Sequence, residues 1–273
     1  MSRAFARPAG LPMYDMADLA AANDALWRIV AVRLRAEGVP DVPDRLTRDR
    51  TLARLWEDPR LLLAQTCGYP LKTSLVGKVR LVATPRYRAA GCDGTRHGSA
   101  LVVRADDASA DLAALRGRVC AANQPHSNTG MNLLRAAVAE LAGGRPFFRR
   151  VLWSGSHRAS LALVAAGEAD VAAIDVVTLA HLRRFEPDLF GRIRILGHTA
   201  ATEGLPLVTA GMTDDRTLAL LRAALDEVGA APEHAGLRDR LLLDGFTLVP
   251  DEAYEPVIAL ERRAAALGYA QLA

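Results

Sequence analysis

The sequence predicts an α/β protein with two domains. Three strand-loop-helix units follow one another in the middle of the chain, and this alternation favours a parallel sheet with right-handed crossovers. The length of 273 residues suits two medium-sized domains. Polar breaks near Val103–Asp106 and Thr199–Gly204 interrupt the alternation. They indicate an inserted domain, residues 105–198, held by a split domain made of residues 1–104 and 199–273.

The split domain takes its predicted elements from both ends of the chain. Ala17–Glu37 has apolar residues on one face at helical spacing, which predicts an amphipathic helix. Leu61–Thr66 is a mostly apolar run of strand length, as expected for a strand covered on both faces. Shorter strands and helices are predicted at Gly10–Tyr14, Thr47–Asp58, Val79–Ala83, Ala100–Val103, Pro206–Thr209, Asp214–Val228 and Ala253–Leu267.

In the inserted domain, each unit places polar residues directly after an apolar strand. The predicted strands and the helices after them are Arg118–Ala122 with Met131–Leu141, Phe148–Trp153 with a helix through Ala166, and Val171–Ile174 with a helix through Arg184. A short helix at Asp111–Gly117 precedes the set, and a strand at Ile193–Leu196 closes it. In an open parallel sheet, ligands bind where strands end and loops lead into helices.

The residues at these three strand ends suit a small anion. They are Ser127, Asn128, Thr129 and Gly130 after the first strand, Ser156 and His157 after the second, and Asp175 after the third. The first N–H groups of a helix have no internal acceptor and carry the positive end of the helix dipole. Taken one at a time, Ser127, Thr129 and Asp175 also fit as helix N-caps, and a lone histidine fits a structural role.

The acid among these residues narrows the class of ligand. Asp175 would repel a fully ionised anion, so a ligand facing it has to bring its own O–H or N–H group. This favours hydrogen phosphate, phosphite or a phosphonate over sulfate. His157 can donate a hydrogen bond from either ring nitrogen.

Composition and charge exclude several other classes of function. The net charge is only +3 and no long run of like charges occurs, so we expect no nucleic-acid partner. No apolar run approaches the length of a transmembrane helix, so we expect no membrane insertion. Asp15 and Asp18 fall where a signal peptide needs its apolar core, which predicts a cytoplasmic chain as written. The three cysteines lack zinc spacing, and either a disulfide or two thiols fits Cys67 and Cys92. We expect no metal and no cofactor.

Five motifs in this order resemble the phosphate/phosphite/phosphonate substrate-binding proteins of ABC transporters. They are Asp111–Gly117, Asn123 with Ser127–Gly130, Ser154–His157 with Ser160, Gly167–Asp175, and Gly204–Pro206. The resemblance covers roughly residues 60–210. It implies the type II periplasmic-binding-protein fold, in which two domains flank a cleft and each has a mixed, mostly parallel sheet flanked by helices.

The same resemblance implies a function and a set of binding residues. The protein would be a monomeric, non-catalytic receptor that captures an oxyanion for an ABC permease. Ser127, Asn128 and Thr129 would hold the anion, and His157 and Asp175 would complete the pocket. Tyr69 and Tyr14 would form an aromatic wall from the first domain. The family is periplasmic, whereas this chain shows no export signal.

Two other functions fit the same fold. In a cytoplasmic enzyme, His157 and Asp175 would act as an acid/base pair. In a cytoplasmic sensor, ligand occupancy would pass to a partner protein. The sequence contains no nucleophile elbow, metal cluster or phosphate loop with lysine, which argues against the enzyme.

Overall fold

A computed structural model describes residues 6–273. Residues 1–5 lie outside the described residues. The predicted split domain begins with them, and so does the N-terminal segment that shows no export signal. Contacts divide the chain into two compact units. The first unit contains residues 6–88 and Gly204–Asp251, and the second contains Ala89–Glu203 and Glu252–Ala273. The chain therefore passes between units after Arg88, Glu203 and Asp251.

The described residues form twelve strands and ten α-helices. The strands are β1 Ala9–Gly10, β2 Leu63–Gln65, β3 Val79–Tyr87, β4 Arg96–His97, β5 Ser99–Arg104, β6 Val119–Ala122, β7 Arg150–Trp153, β8 Val171–Asp175, β9 Ile193–His198, β10 Thr202–Glu203, β11 Leu207–Ala210 and β12 Leu243–Thr247. The helices are α1 Ala17–Ala36, α2 Leu52–Trp56, α3 Gly68–Lys72, α4 Leu133–Ala142, α5 His157–Ala166, α6 Val176–Phe185, α7 Pro187–Phe190, α8 Asp215–Ala230, α9 Ala235–Arg240 and α10 Glu255–Ala266.

The first unit is built on a mixed sheet with strand order β1-β2-β11-β3-β12. Only β1 and β2 run parallel, and the other three pairs are antiparallel. A mostly parallel sheet was predicted for each domain, and this prediction is wrong for the first unit. A buried apolar run in the sequence does not show in which direction its strand runs. Helix α1 packs on α8, and Trp27 on α1 is buried with its Nε1 donating to the carbonyl of Pro43.

The second unit has the strand order β7-β6-β8-β5-β9. Strand β6 runs parallel to β7 and β8, whereas β5 is antiparallel to both β8 and β9. The carboxyl ends of β6, β7 and β8 therefore meet at one edge of the sheet. Because β5 is reversed, its first residue also lies at that edge, where Ser99 pairs with Asp175.

This division differs from the predicted domains at three places, because residues 89–104, 199–203 and 252–273 belong to the second unit. Strand β5 was assigned to the split domain, but here it lies between β8 and β9. Residues 252–273 were also assigned there, but here α10 packs against α4. In both cases the sequence shows a strand or helix without showing which sheet or helix it joins.

Local differences from prediction concern mainly element ends. The first strand is shorter than predicted, so Tyr14 lies between β1 and α1, and Tyr69 lies on α3 where a turn was predicted. Strand β12 was not predicted. The three cysteines are thiols, so the disulfide alternative for Cys67 and Cys92 is not formed. Within residues 6–273, no helix has the length and hydropathy needed to cross a membrane, and no cluster of His, Cys, Asp and Glu could hold a metal.

Candidate functional site

The loop after β6 opens a helix with a π turn, Asn128–Asn132, before α4 begins. The N–H of Asn132 donates to the carbonyl of Ser127 at 3.0 Å, which is the i to i−5 bond of a π-helix. Ser127 is the N-cap, since its Oγ accepts from the N–H of Gly130 at 3.0 Å. All five residues of the turn are buried. The cap interpretation of Ser127 therefore holds in the structure.

Thr129 connects the loops that follow two different strands. Its hydroxyl lies 3.1 Å from Nε2 of His157, the first residue of α5, and the two groups share a hydrogen bond. Its carbonyl accepts from the hydroxyl of Ser99 at 2.6 Å. Ser156 caps α5, because its Oγ accepts from the N–H of Ala159 at 3.1 Å. Thr129 and His157, predicted from separate loops, are therefore direct neighbours.

His157 also reaches the third strand end, since its Nδ1 lies 3.4 Å from the backbone N–H of Asp175. Burial lowers the pKa of His157 from its ordinary value, and the charge of Asp175 opposes this shift without cancelling it. The imidazole is therefore neutral at pH 7. In that state, it has one donor and one acceptor nitrogen.

Both carboxylate oxygens of Asp175 are already bonded within the protein. Oδ1 caps α6 by accepting from the N–H groups of Val177 and Thr178, each at 3.0 Å. Oδ2 lies 3.1 Å from Nε2 of His97, and both side chains are almost completely buried. Burial alone would raise the pKa of Asp175. The charge and hydrogen bond of His97, with smaller contributions from His157 and Thr178, outweigh it and hold the pKa at about 2.

Sequence reasoning missed two neighbours of the site, His97 and Ser99. Ser99 begins β5 and His97 ends β4 two residues earlier, and the antiparallel placement of β5 brings this part of the chain to the carboxyl ends of its neighbours. The sequence signal for them was the polar triplet His97-Gly98-Ser99, which stands directly before an apolar strand.

Gly130 makes room for a close contact at the same place. A Cβ built on it would lie 1.9 Å from Oδ1 of Asn123 and 2.9 Å from Cε1 of His157. Oδ1 of Asn123 is buried and has no hydrogen-bond partner among the described residues. The absence of a side chain at Gly130 therefore leaves the space that the side chains of Asn123 and His157 occupy.

The two predicted tyrosines belong to the first unit. Tyr14 is buried and packs edge-to-face on Tyr87, with ring centroids 5.2 Å apart. The hydroxyl of Tyr87 accepts from the amide of Gln65 at 3.0 Å. Tyr69 is half-buried, and its carbonyl accepts from the hydroxyl of Thr73 at 2.7 Å. A ligand-facing role for Tyr14 and Tyr69 stays a prediction.

A family model described as the periplasmic substrate-binding protein of the phosphonate ABC transporter matches residues 63–254. The chain belongs to this family. The resemblance predicted from the motifs is thereby confirmed. A phosphonate substrate-binding protein is a periplasmic solute receptor by class, rather than an enzyme. A comparison with curated protein sequences found no match.

Solved structures agree on the fold of this phosphonate-binding family member. A binding protein component of an ABC phosphonate transporter from Pseudomonas aeruginosa has a TM-score of 0.75 at 18% identity, covering 96% of this chain and 88% of that chain. PhnD1 from Prochlorococcus marinus in complex with methylphosphonate gives 0.74 at 14% identity, covering 96% and 98%. XAC2383 from Xanthomonas citri bound to ATP gives 0.71 at 18% identity, covering 97% and 98%. The predicted type II fold is confirmed, and at these identities the structures show the fold alone.

Proposed function

We propose that this protein captures a small oxyanion, namely phosphate, phosphite or a phosphonate, and delivers it to an ABC permease. It works without a cofactor and as a monomer. The observation that carries the proposal is the convergence of Thr129, His157 and Asp175 at one edge of the sheet of the second unit. Each comes from the loop after a different strand, and contacts of 3.1 and 3.4 Å join them.

The contacts suggest a different role for each predicted binding residue. The first N–H groups of the π turn, the hydroxyl of Thr129 and the ring of His157 bind the anion in this proposal. Gly130 keeps the approach open. Ser127, Ser156 and Asp175 support these groups, because their side-chain oxygens cap helices. Asn128 supports them through its bonds to Asn132 and Thr202.

The state of Asp175 favours binding over acid/base chemistry. A general base works best with a pKa near the operating pH, whereas the pKa of Asp175 is held at about 2. Its carboxylate is bonded to His97 and to the start of α6. Asp175 was expected to select a protonated anion, but both of its carboxylate oxygens are already bonded within the protein. In this proposal, discrimination against sulfate therefore comes from the N–H groups of the π turn, Thr129 and His157.

Titration with four anions tests the proposal. We expect phosphate, phosphite or methylphosphonate to bind with a Kd in the micromolar range or below, measured by calorimetry, and to raise the melting temperature. Ligand at 100 times its Kd stabilises the folded state by about 2.7 kcal/mol, which a thermal shift detects readily. Sulfate is the comparison anion. If none of the three phosphorus oxyanions binds, the proposal is wrong.

Thr129→Val tests the site itself. The substitution keeps the side-chain shape but removes the hydroxyl beside His157, so we expect the Kd to rise about tenfold or more, as for a lost hydrogen bond to a charged group. The control is Thr217→Val, because Thr217 is also a buried threonine in the first turn of a helix, with its hydroxyl bonded to Asp214 at 2.8 Å. Equal affinities for the two variants would place the anion elsewhere.

A further inference from the structure

A chain of buried side chains runs behind the π turn, and we call it the amide relay: Arg135, Asn132, Asn128 and Thr202. Arg135 donates to Oδ1 of Asn132 at 2.6 Å, and Nδ2 of Asn132 donates to Oδ1 of Asn128 at 2.9 Å. Nδ2 of Asn128 then donates to the hydroxyl of Thr202 at 2.9 Å. All four residues are at most 4% exposed. The relay therefore joins α4, the π turn and β10 in the interior.

The chemistry at the ends of the relay fixes its direction. A guanidinium can only donate and a carbonyl can only accept. Asn132 therefore turns its oxygen to Arg135 and its nitrogen to the carbonyl of Val257, which lies 2.9 Å away on α10. The second N–H of Asn132 then meets the oxygen of Asn128, which leaves the nitrogen of Asn128 for Thr202. Because every bond points the same way, each polarises the next.

The amide relay includes both end residues of the π turn. Asn128 and Asn132 are its first and last residues, and their side chains are bonded to each other. A π turn is rare and tends to occur as a short insertion at functional sites. Within this one, Gly130 is bonded to Ser127 and Thr129 to His157. A change in the turn would therefore move the groups proposed to bind the anion.

Arg135 gives the relay a fixed positive end. It is 4% exposed, it donates to the carbonyl of Ala270 at 2.8 Å, and it lies 3.8 Å from a carboxylate oxygen of Glu261. Both of those residues come from the last part of the chain, within the second unit. The C-terminal segment therefore holds the guanidinium of Arg135 in place, and this guanidinium orients the side-chain amides of Asn132 and Asn128 behind the π turn.

We propose that the amide relay holds the π turn in its anion-binding form, and that Asn128 and Thr202 are positioning residues for oxyanion capture. This inference rests on the proposed function. It replaces the expectation that Asn128 touches the anion, since its amide is committed to Asn132 and Thr202. It also ties the turn to β10, the strand after which the chain leaves the second unit.

Thr202→Val tests the relay, because it removes the last acceptor while keeping the β-branched shape that β10 requires. In the protein without added anion, we expect the amide hydrogens of residues 128–132 to exchange faster with deuterium than in the unsubstituted protein. We expect the Kd for the tightest binder among phosphate, phosphite and methylphosphonate to rise about tenfold, as for one unsatisfied buried donor. Thr202→Ser restores the hydroxyl and should restore both measurements.

Thr209→Val is the matched control. Thr209 is a fully buried strand threonine of the first unit, with its hydroxyl bonded to Leu61 and Thr213. It should lower the melting temperature without changing the Kd or the exchange of residues 128–132. Unchanged exchange and affinity in Thr202→Val, or an equal loss of affinity in Thr209→Val, would overturn the relay. If the unsubstituted protein binds none of the three anions, the proposed function fails, and the exchange comparison still decides whether the relay holds the turn.

Discussion

Gly130→Ala is expected to abolish oxyanion binding and to lower the free energy of unfolding by about 1–3 kcal/mol, as overpacking of a well-packed site does. The new Cβ would lie 1.9 Å from Oδ1 and 2.6 Å from Cγ of Asn123, and 2.9 Å from Cε1 of His157. Neither neighbour is the far end of a long, flexible side chain. Either the π turn moves, or Asn123 and His157 both move, and each of these changes separates Thr129 from His157.

Gly197→Ala provides the control for this substitution. Gly197 lies on β9 in the same sheet, and a Cβ there would meet no atom within 4 Å. We expect its stability to stay within about 0.5 kcal/mol of the original and its affinity to be unchanged. Calorimetric titration and urea unfolding of both variants give the comparison. Affinity in Gly130→Ala equal to that of the unsubstituted protein would show that the close approach at Gly130 is not needed for binding.

Elements with strong local signals were predictable from the sequence. Helix α5 begins at His157 and ends at Ala166, because Ser156 caps its start and Gly167 stops it with a φ of 76°. The parallel arrangement of β6, β7 and β8 also follows from the alternation of strands and helices. The three strand ends were therefore correctly expected at one edge of the sheet.

Strand direction was not predictable in the same way. Strand β5 has the apolar pattern of its neighbours, and nothing in that pattern shows that it runs antiparallel between β8 and β9. The position of His97 depends on that direction, so the bond between His97 and Asp175 could not be inferred. The same lack of directional signal is the reason that the antiparallel direction of β11 in the first sheet was not predictable.

In the candidate site, residue types were easier to predict than roles. A hydroxyl or carboxylate at a helix start can cap the helix or face a ligand, and the sequence pattern is the same in both cases. The structure shows Ser127, Ser156 and Asp175 as caps, and it leaves the hydroxyl of Thr129 beside His157. Only the packing of several loops against one another distinguishes these roles.

Asp175→Asn is expected to cost about 1.5–3 kcal/mol of stability at neutral pH, the usual size of a hydrogen bond to a charged group. The amide keeps an oxygen for the N–H groups of Val177 and Thr178, but it removes the charge facing His97. Because Asp175 supports α6 and lies against His157, weaker anion binding should accompany the loss of stability. Urea unfolding and calorimetric titration measure the two effects.

The dependence of stability on pH distinguishes the contribution of the charge of Asp175 to the free energy of unfolding from the contribution of its packing. Its pKa is about 2 in the folded protein against an ordinary value of 3.8, so its ionised form stabilises the fold above about pH 4. That contribution, about 2 kcal/mol, is lost as the pH falls from about 4 to about 2. Urea unfolding over this range should therefore show a steeper loss in the unsubstituted protein than in Asp175→Asn. Asp214→Asn removes an exposed cap of α8 and should leave most of the slope in place. Equal slopes for the unsubstituted protein and Asp175→Asn would mean that His97 does not hold Asp175 in its ionised form.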